Sequence, residues 1–134
     1  MSRAELHASI SEHFARYFDA CDRADIDAVM GIMQGAVVSA GDVETSDATA
    51  VRAMYESRQP PPLADGRRVT KHHVTNILVD GPDDSGAYEA SAYYFRLQAD
   101  AGGPHVAASG RLHQVLIPDI AGWRVLRHSI ISDF

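Results

Sequence analysis

Thr70-Lys71-His72-His73-Val74-Thr75-Asn76-Ile77-Leu78-Val79 is an alternating run rich in β-branched residues, the pattern of a half-buried strand. Successive side chains of a strand point to opposite faces. The spacing therefore predicts Thr70, His72, Val74, Asn76 and Leu78 on one face and Lys71, His73, Thr75, Ile77 and Val79 on the other. The two adjacent histidines cannot act together. Either one, facing an enclosed space, would make a useful base, because the ordinary pKa of imidazole lies near neutrality.

From about Arg67 onward the chain reads as four strands, at about 67–80, 87–99, 106–117 and 123–132. Turn residues separate them at Gly81–Gly86, Gly102-Gly103-Pro104 and Pro118–Gly122. Such short connections favour antiparallel pairing. Upstream of the strands the period changes to that of helices. Leu6, Ile10, Phe14, Tyr17, Phe18 and Cys21 mark an amphipathic helix from about 4 to 22. Asp25 is placed to cap a second, shorter helix carrying Ile26, Val29, Met30 and Met33. Residues 36–44 suggest a small hairpin around Gly41-Asp42, and Ser46 or Asp47 begins a third helix that stops before Pro60-Pro61-Pro62. Helices followed by strands define a single α+β domain over residues 1–134, its curved antiparallel sheet packed on three N-terminal helices.

Composition narrows the function. Hydrophobic residues make up 46% and charged residues 22% of 134 residues, as in ordinary globular proteins, and no apolar run reaches membrane-spanning length. A formal charge of −6 argues against nucleic acid, whose binders need a basic face. The N-terminus lacks the plan of a secretion signal, so a cytoplasmic location is expected. Cys21, the single cysteine, lies in the helical apolar stripe and reads as a small buried hydrophobe. The seven histidines show no metal-binding spacing, and no nucleotide loop or nucleophile elbow occurs, so neither metal nor cofactor is expected.

The stretch from Phe14 to Val29, the Thr70–Asn76 strand, Ser109-Gly110-Arg111 and Gly122-Trp123-Arg124-Val125 together resemble the SnoaL-like branch of the nuclear transport factor 2-like superfamily. That resemblance covers nearly the whole chain. It implies a cone-shaped α+β barrel with a deep apolar pocket between sheet and helices, commonly dimeric through the outer sheet face. The superfamily includes scytalone dehydratase, polyketide cyclases, steroid isomerase, a dehydrochlorinase and largely structural dioxygenase subunits, so fold alone does not determine the reaction.

Asp22 is the second telling residue. It sits at the edge of the apolar stripe near a helix C-terminus, where the macrodipole disfavours a carboxylate, and such an offence against local rules marks a functional candidate. In scytalone dehydratase and the dehydrochlorinase, an aspartate at the end of this helix pairs with a histidine on the strand after the third helix. By resemblance these are Asp22 and His72, with His72 as general base and Asp22 as its orienter. Asn76 shares the predicted face of His72, which favours His72 over His73, although a one-residue slip would reverse the choice.

Further candidates for substrate contact are Tyr17 on the buried helix face, one of Tyr93 and Tyr94 with Tyr94 preferred, and Arg111 with His113 on the third long strand. On that strand either Arg111 and His113 or Gly110, Leu112 and Gln114 face inward, and His128 has the same ambiguity. The expected function is a cofactor-independent lyase, isomerase or cyclase acting on a mostly apolar, oxygenated small molecule. A non-catalytic binding or assembly domain is the alternative. An Asp22–His72 hydrogen bond inside a cavity favours the enzyme; a cone filled with apolar side chains favours the alternative. A homodimer is expected, with Thr75, Ile77, Tyr93 and Phe95 on the outer sheet face. Trp123, opening the last strand, is expected to be at least partly buried.

Overall fold

The N-terminal periodicity becomes helix α1, Arg3–Asp22, in a computed structural model that describes residues 1–134. A reciprocal capping box starts it: the Glu5 amide donates to the Ser2 hydroxyl and the Ser2 amide donates back to the Glu5 carboxylate. The helix ends where Ala24 enters the left-handed region at φ 52°. There the Asp25 amide donates to the Ala20 carbonyl and the Ala24 amide to the Cys21 carbonyl, a Schellman stop whose left-handed position is usually glycine. Helix α2, Ile26–Ile32, begins at once, with Asp25 as its N-cap accepting from the Ala28 amide.

Strands β1, Val37–Ala40, and β2, Val43–Thr45, form the small hairpin, and Asp47 caps helix α3, Ala48–Arg58. Four long strands follow: β3 Thr70–Asp80, β4 Tyr88–Asp100, β5 Gly103–Asp119 and β6 Gly122–Ser132. The six strands make one curved, open sheet in the order β2-β1-β6-β5-β4-β3. The β3–β6 meander is antiparallel throughout. β1 instead joins β6 in parallel, an addition to the expected meander that is open to it because the rest of the domain separates the two strands in sequence. β3 starts at Thr70 rather than near Arg67, since Asp65 holds Arg67 in a loop through both its amide and its guanidinium. β5 begins at Gly103, inside the expected turn.

The core fills the space between the concave sheet face and the helices. Ile10, Phe14, Val29, Leu112, Leu116 and Val125 are almost wholly enclosed there. Trp123 is half-buried against this core, edge-on to Tyr88, with its indole N–H donating to the Ser9 hydroxyl. No helix is long and apolar enough to cross a membrane.

One local feature changes which residues face the core. Thr75 pairs with Tyr93 and Leu78 with Ser91, so Asn76 and Ile77 together oppose Ala92 across a bulge, and Asn76 takes φ 56°, which asparagine tolerates. Before the bulge Thr70, His72 and Val74 turn inward; after it Ile77 and Val79 do. The expected strict alternation therefore fails at Asn76. Asn76 and Leu78 lie on the outer face, while Ile77 packs against the core rather than on the outer face with Thr75.

Candidate functional site

Asp22 is the last residue of α1 and follows Phe18 by one turn, so it points at β3 and is only 5% exposed. A buried carboxylate at the negative end of a helix is costly unless its oxygens are bonded. Three donors supply the bonds. The Thr70 hydroxyl (3.0 Å) and His72 Nδ1 (2.6 Å) donate to Oδ1, and the His72 amide (2.8 Å) donates to Oδ2. An Nδ1–H committed to Asp22 leaves Nε2 of a neutral imidazole as an acceptor. Phe18 stacks on that ring at 4.7 Å between centroids, with 15° between planes. The side chain of His72 is 7% exposed, and His72 lines a cavity.

The cavity has a volume of about 230 Å³ between α1, α3 and the concave sheet face. Apolar walls come from Phe18, Val38, Met54, Ala108 and Ile130, and polar groups enter from His72, Tyr17, Tyr55, Tyr94 and His128. An apolar cavity of about 150 Å³ accepts benzene. The space here suits one aromatic ring with a few substituents.

Behind the cavity a buried polar chain crosses the domain. His13 Nε2–H donates to Gln114 Oε1 at 2.8 Å, and the Gln114 amide donates to His128 Nδ1 at 2.8 Å. His128 therefore carries its proton on Nε2, which donates to the Tyr17 hydroxyl at 3.2 Å, and Tyr17 donates to the Tyr55 hydroxyl at 2.8 Å. The remaining hydrogen of the chain, on Tyr55, is free for the cavity. Burial, with a smaller contribution from His13, pushes the His128 pKa down to about 3, so this ring is neutral. Burial raises the pKa of Tyr17 and Tyr55, and the bond received from Tyr17 works the other way on Tyr55. Both phenols are donors rather than bases. The Tyr94 hydroxyl makes no hydrogen bond within the protein, and burial raises its pKa too.

The structure thus brings His72, Tyr17 and Tyr94 to one cavity, with Asp22 bonded to His72 behind the wall, and corrects the placement of three other candidates. Asn76 is on the outer face because of the bulge. Arg111 and His113 also point outward, since Gly110, Leu112 and Gln114 are the inner set of β5. Arg111 is bidentate on the Asp133 carboxylate, and His113 lies 3.5 Å from Glu89. Tyr17 reaches the cavity, but its hydroxyl is committed to His128 and Tyr55, so the free donor is Tyr55, which sequence reasoning missed. His73 stacks on Phe95 on the outer face, at 4.7 Å. Cys21 is buried, and burial pushes its thiol up to about 12. No group of three His, Cys, Asp or Glu side chains converges on one point.

A family profile described as the SnoaL-like domain matches residues 2–128. No curated protein matches the chain. Among solved structures the chain is similar to ActVI-ORFA from Streptomyces coelicolor (TM-score 0.79, 16% identity, 96% of this chain and 98% of that one). It is also similar to a Catenulispora acidiphila protein in complex with S-DNPA (TM-score 0.75, 18% identity, covering 98% and 96%). A third is an NTF2-like protein with a cystatin-like fold from Novosphingobium aromaticivorans (TM-score 0.74, 19% identity, covering 95% and 81%). At these identities the likeness concerns the fold.

Proposed function

Because the chain belongs to the SnoaL-like domain family, and because one cavity holds an oriented imidazole beside free phenol hydroxyls, we propose that the protein is a cofactor-independent acid–base enzyme. Its class is lyase, isomerase or cyclase, and its substrate a mostly apolar, oxygenated small molecule. The observation that carries this reading is the 2.6 Å bond between His72 Nδ1 and Asp22 inside the cavity wall. A carboxylate there fixes the tautomer and stabilises the imidazolium formed when Nε2 takes a proton.

In this mechanism His72 Nε2 removes a proton from a carbon beside a carbonyl. The electron pair left behind moves onto the carbonyl oxygen, and the hydroxyls of Tyr55 and Tyr94 hold the resulting enolate. The His72 proton then returns to another carbon, which is isomerisation, or leaves with a departing hydroxide as water, which is dehydration. Tyr17, His128 and Gln114 hold Tyr55 in donating orientation. The bound S-DNPA of the Catenulispora relative supports a small-molecule occupant for a cavity of this fold.

The reading extends to a cytoplasmic homodimer formed through the outer sheet face, where Leu78, Tyr93, Val106 and Ile131 stand exposed. The catalytic proposal is tested by following deuterium exchange into the acidic C–H positions of 2-tetralone in D2O. Asp22→Asn and His72→Ala should each slow protein-catalysed exchange by about two to four powers of ten, and the double variant by little more. His73→Ala should leave it unchanged. If all three single variants keep full activity, the dyad is not the catalyst and the binding-domain alternative replaces it.

A further inference from the structure

Two arginines of the cavity are anomalous in their charge partners. Most arginines of this acidic chain hold a carboxylate, while Arg3, Arg58, Arg96 and Arg124 hold none, and of these four Arg58 and Arg96 line the cavity. Arg58 sits in the last turn of α3, where the helix dipole favours a cation. Arg96 has no such reason. It lies on the inner face of β4 directly opposite His72, and its Nε–H is buried without an acceptor. On the wall of the same cavity Gln59, the C-cap of α3, carries a buried Oε1 without a donor. Buried polar atoms are nearly always paired, so two orphans on the wall of one cavity are groups kept for something absent from the protein itself.

The charges also converge. At the Tyr94 hydroxyl the positive charges of Arg96 and, less strongly, Arg58 act against the upward push of burial, to which the Asp133 carboxylate adds, and Arg58 acts likewise on Tyr55. A partly buried guanidinium with an enclosed, unpaired Nε–H and no counter-ion is costly, and an anion delivered by a ligand offsets that cost. In a protein of net charge −6 these cations are also the local feature that would draw an anion to the cavity mouth.

We infer that the cavity takes a carboxylate-bearing aromatic molecule, its carboxylate on the Arg96 guanidinium with Arg58 at the mouth and its ring beside Phe18. A planar fork of N–H donors matches a planar carboxylate, and about 230 Å³ leaves room for one ring beyond it. Gln59 Oε1 then accepts from a hydroxyl on the same molecule. Since adjacent strands pair Arg96 with His72, the carboxylate is held within a few bonds of the carbon facing Nε2. The inference rests on the acid–base reading only for the role of that carbon; the anion site stands on the Arg96 guanidinium, which has no carboxylate partner and an orphaned Nε–H.

The test is binding of 3-phenylpropanoate against 3-phenylpropanamide, which share shape and differ in charge, by calorimetry near neutral pH. The acid should bind at least ten-fold tighter to the wild-type protein, and the Arg96 Nε–H resonance should move as it is titrated in. Arg96→Gln should abolish the preference, Arg96→Lys should keep part of it, and Arg58→Gln, at an exposed position that tolerates change, should weaken it by a smaller factor. Equal binding of acid and amide, binding of neither, or a preference that survives both glutamine variants overturns the inference. His72→Gln should retain the preference. A protein that prefers the acid yet catalyses no exchange overturns the acid–base reading alone; one that catalyses exchange without preference overturns the carboxylate site alone.

Discussion

Acid should unfold this protein through His128. The ring is fully enclosed between Gln114 and Tyr17 and stays neutral down to about 3, while the unfolded chain takes up that proton near 6.5. Between these values the unfolded state binds more protons, so stability is intact above the unfolded pKa and falls as pH drops towards the folded one. Each pH unit in the window removes about 1.4 kcal/mol, so the step from 6.5 to about 4.5 removes about 2.5 kcal/mol. The perturbation that isolates the effect is His128→Gln, whose amide can accept from Gln114 and donate to Tyr17 but does not titrate. Urea unfolding should show the wild-type midpoint dropping by about 1–2 M more than that of the variant over this range. His13, whose pKa burial also lowers, contributes in the same direction but remains in both proteins. Parallel pH dependences in wild type and variant would refute the reasoning, because they would mean that protonating His128 costs the folded state nothing.

Three further outcomes follow from local geometry. Ala24→Gly should raise stability by about 0.5–1 kcal/mol, since a left-handed residue at φ 52° carries a Cβ penalty that glycine lacks; chemical denaturation showing a loss instead would mean that the Schellman stop is not formed. Gly110→Ala should cost about 2 kcal/mol or more and disturb Tyr94, because the new Cβ would clash with the Ile131 carbonyl and lie 3.0 Å from the Tyr94 hydroxyl. A thermal melt unchanged by that substitution would contradict the close strand approach. Sedimentation at micromolar concentration should give twice 14.5 kDa, with Leu78→Lys and Tyr93→Lys together shifting it towards monomer; a wild-type monomer removes the dimer proposal.

Local periodicity carried much of the architecture. The three- and four-residue spacing of Leu6 to Cys21 located α1, Asp25 announced the next helix, and Pro60 bounded α3, because each is a property of neighbouring residues. The parallel β1–β6 pair is set by tertiary packing and leaves no mark on either segment. The bulge at Asn76 defeated strict alternation: one added residue with φ 56° moved Asn76 and Leu78 outward and Ile77 inward. The pairing of Asp22 with His72 joins residues fifty positions apart and was accessible only through resemblance to known proteins. On β5 the pattern allowed either face, and only the register with β6, which brings Gln114 to His128, makes Gln114 a core residue and Arg111 a surface one. Arg96 carried no signal at all until β4 was aligned with β3.

The central claim is that Asp22 holds His72 as the Nδ1–H tautomer with an unprotonated Nε2 facing the cavity. Long-range proton–nitrogen correlation of the histidine side chains near neutral pH tests it without any substrate. The account predicts one ring with a protonated Nδ1, shifted strongly downfield by its carboxylate partner, and a bare Nε2, with Asp22→Asn erasing that signature and His73→Ala leaving it intact. A His72 ring that carries its proton on Nε2, or averages between tautomers in the wild-type protein, would contradict it.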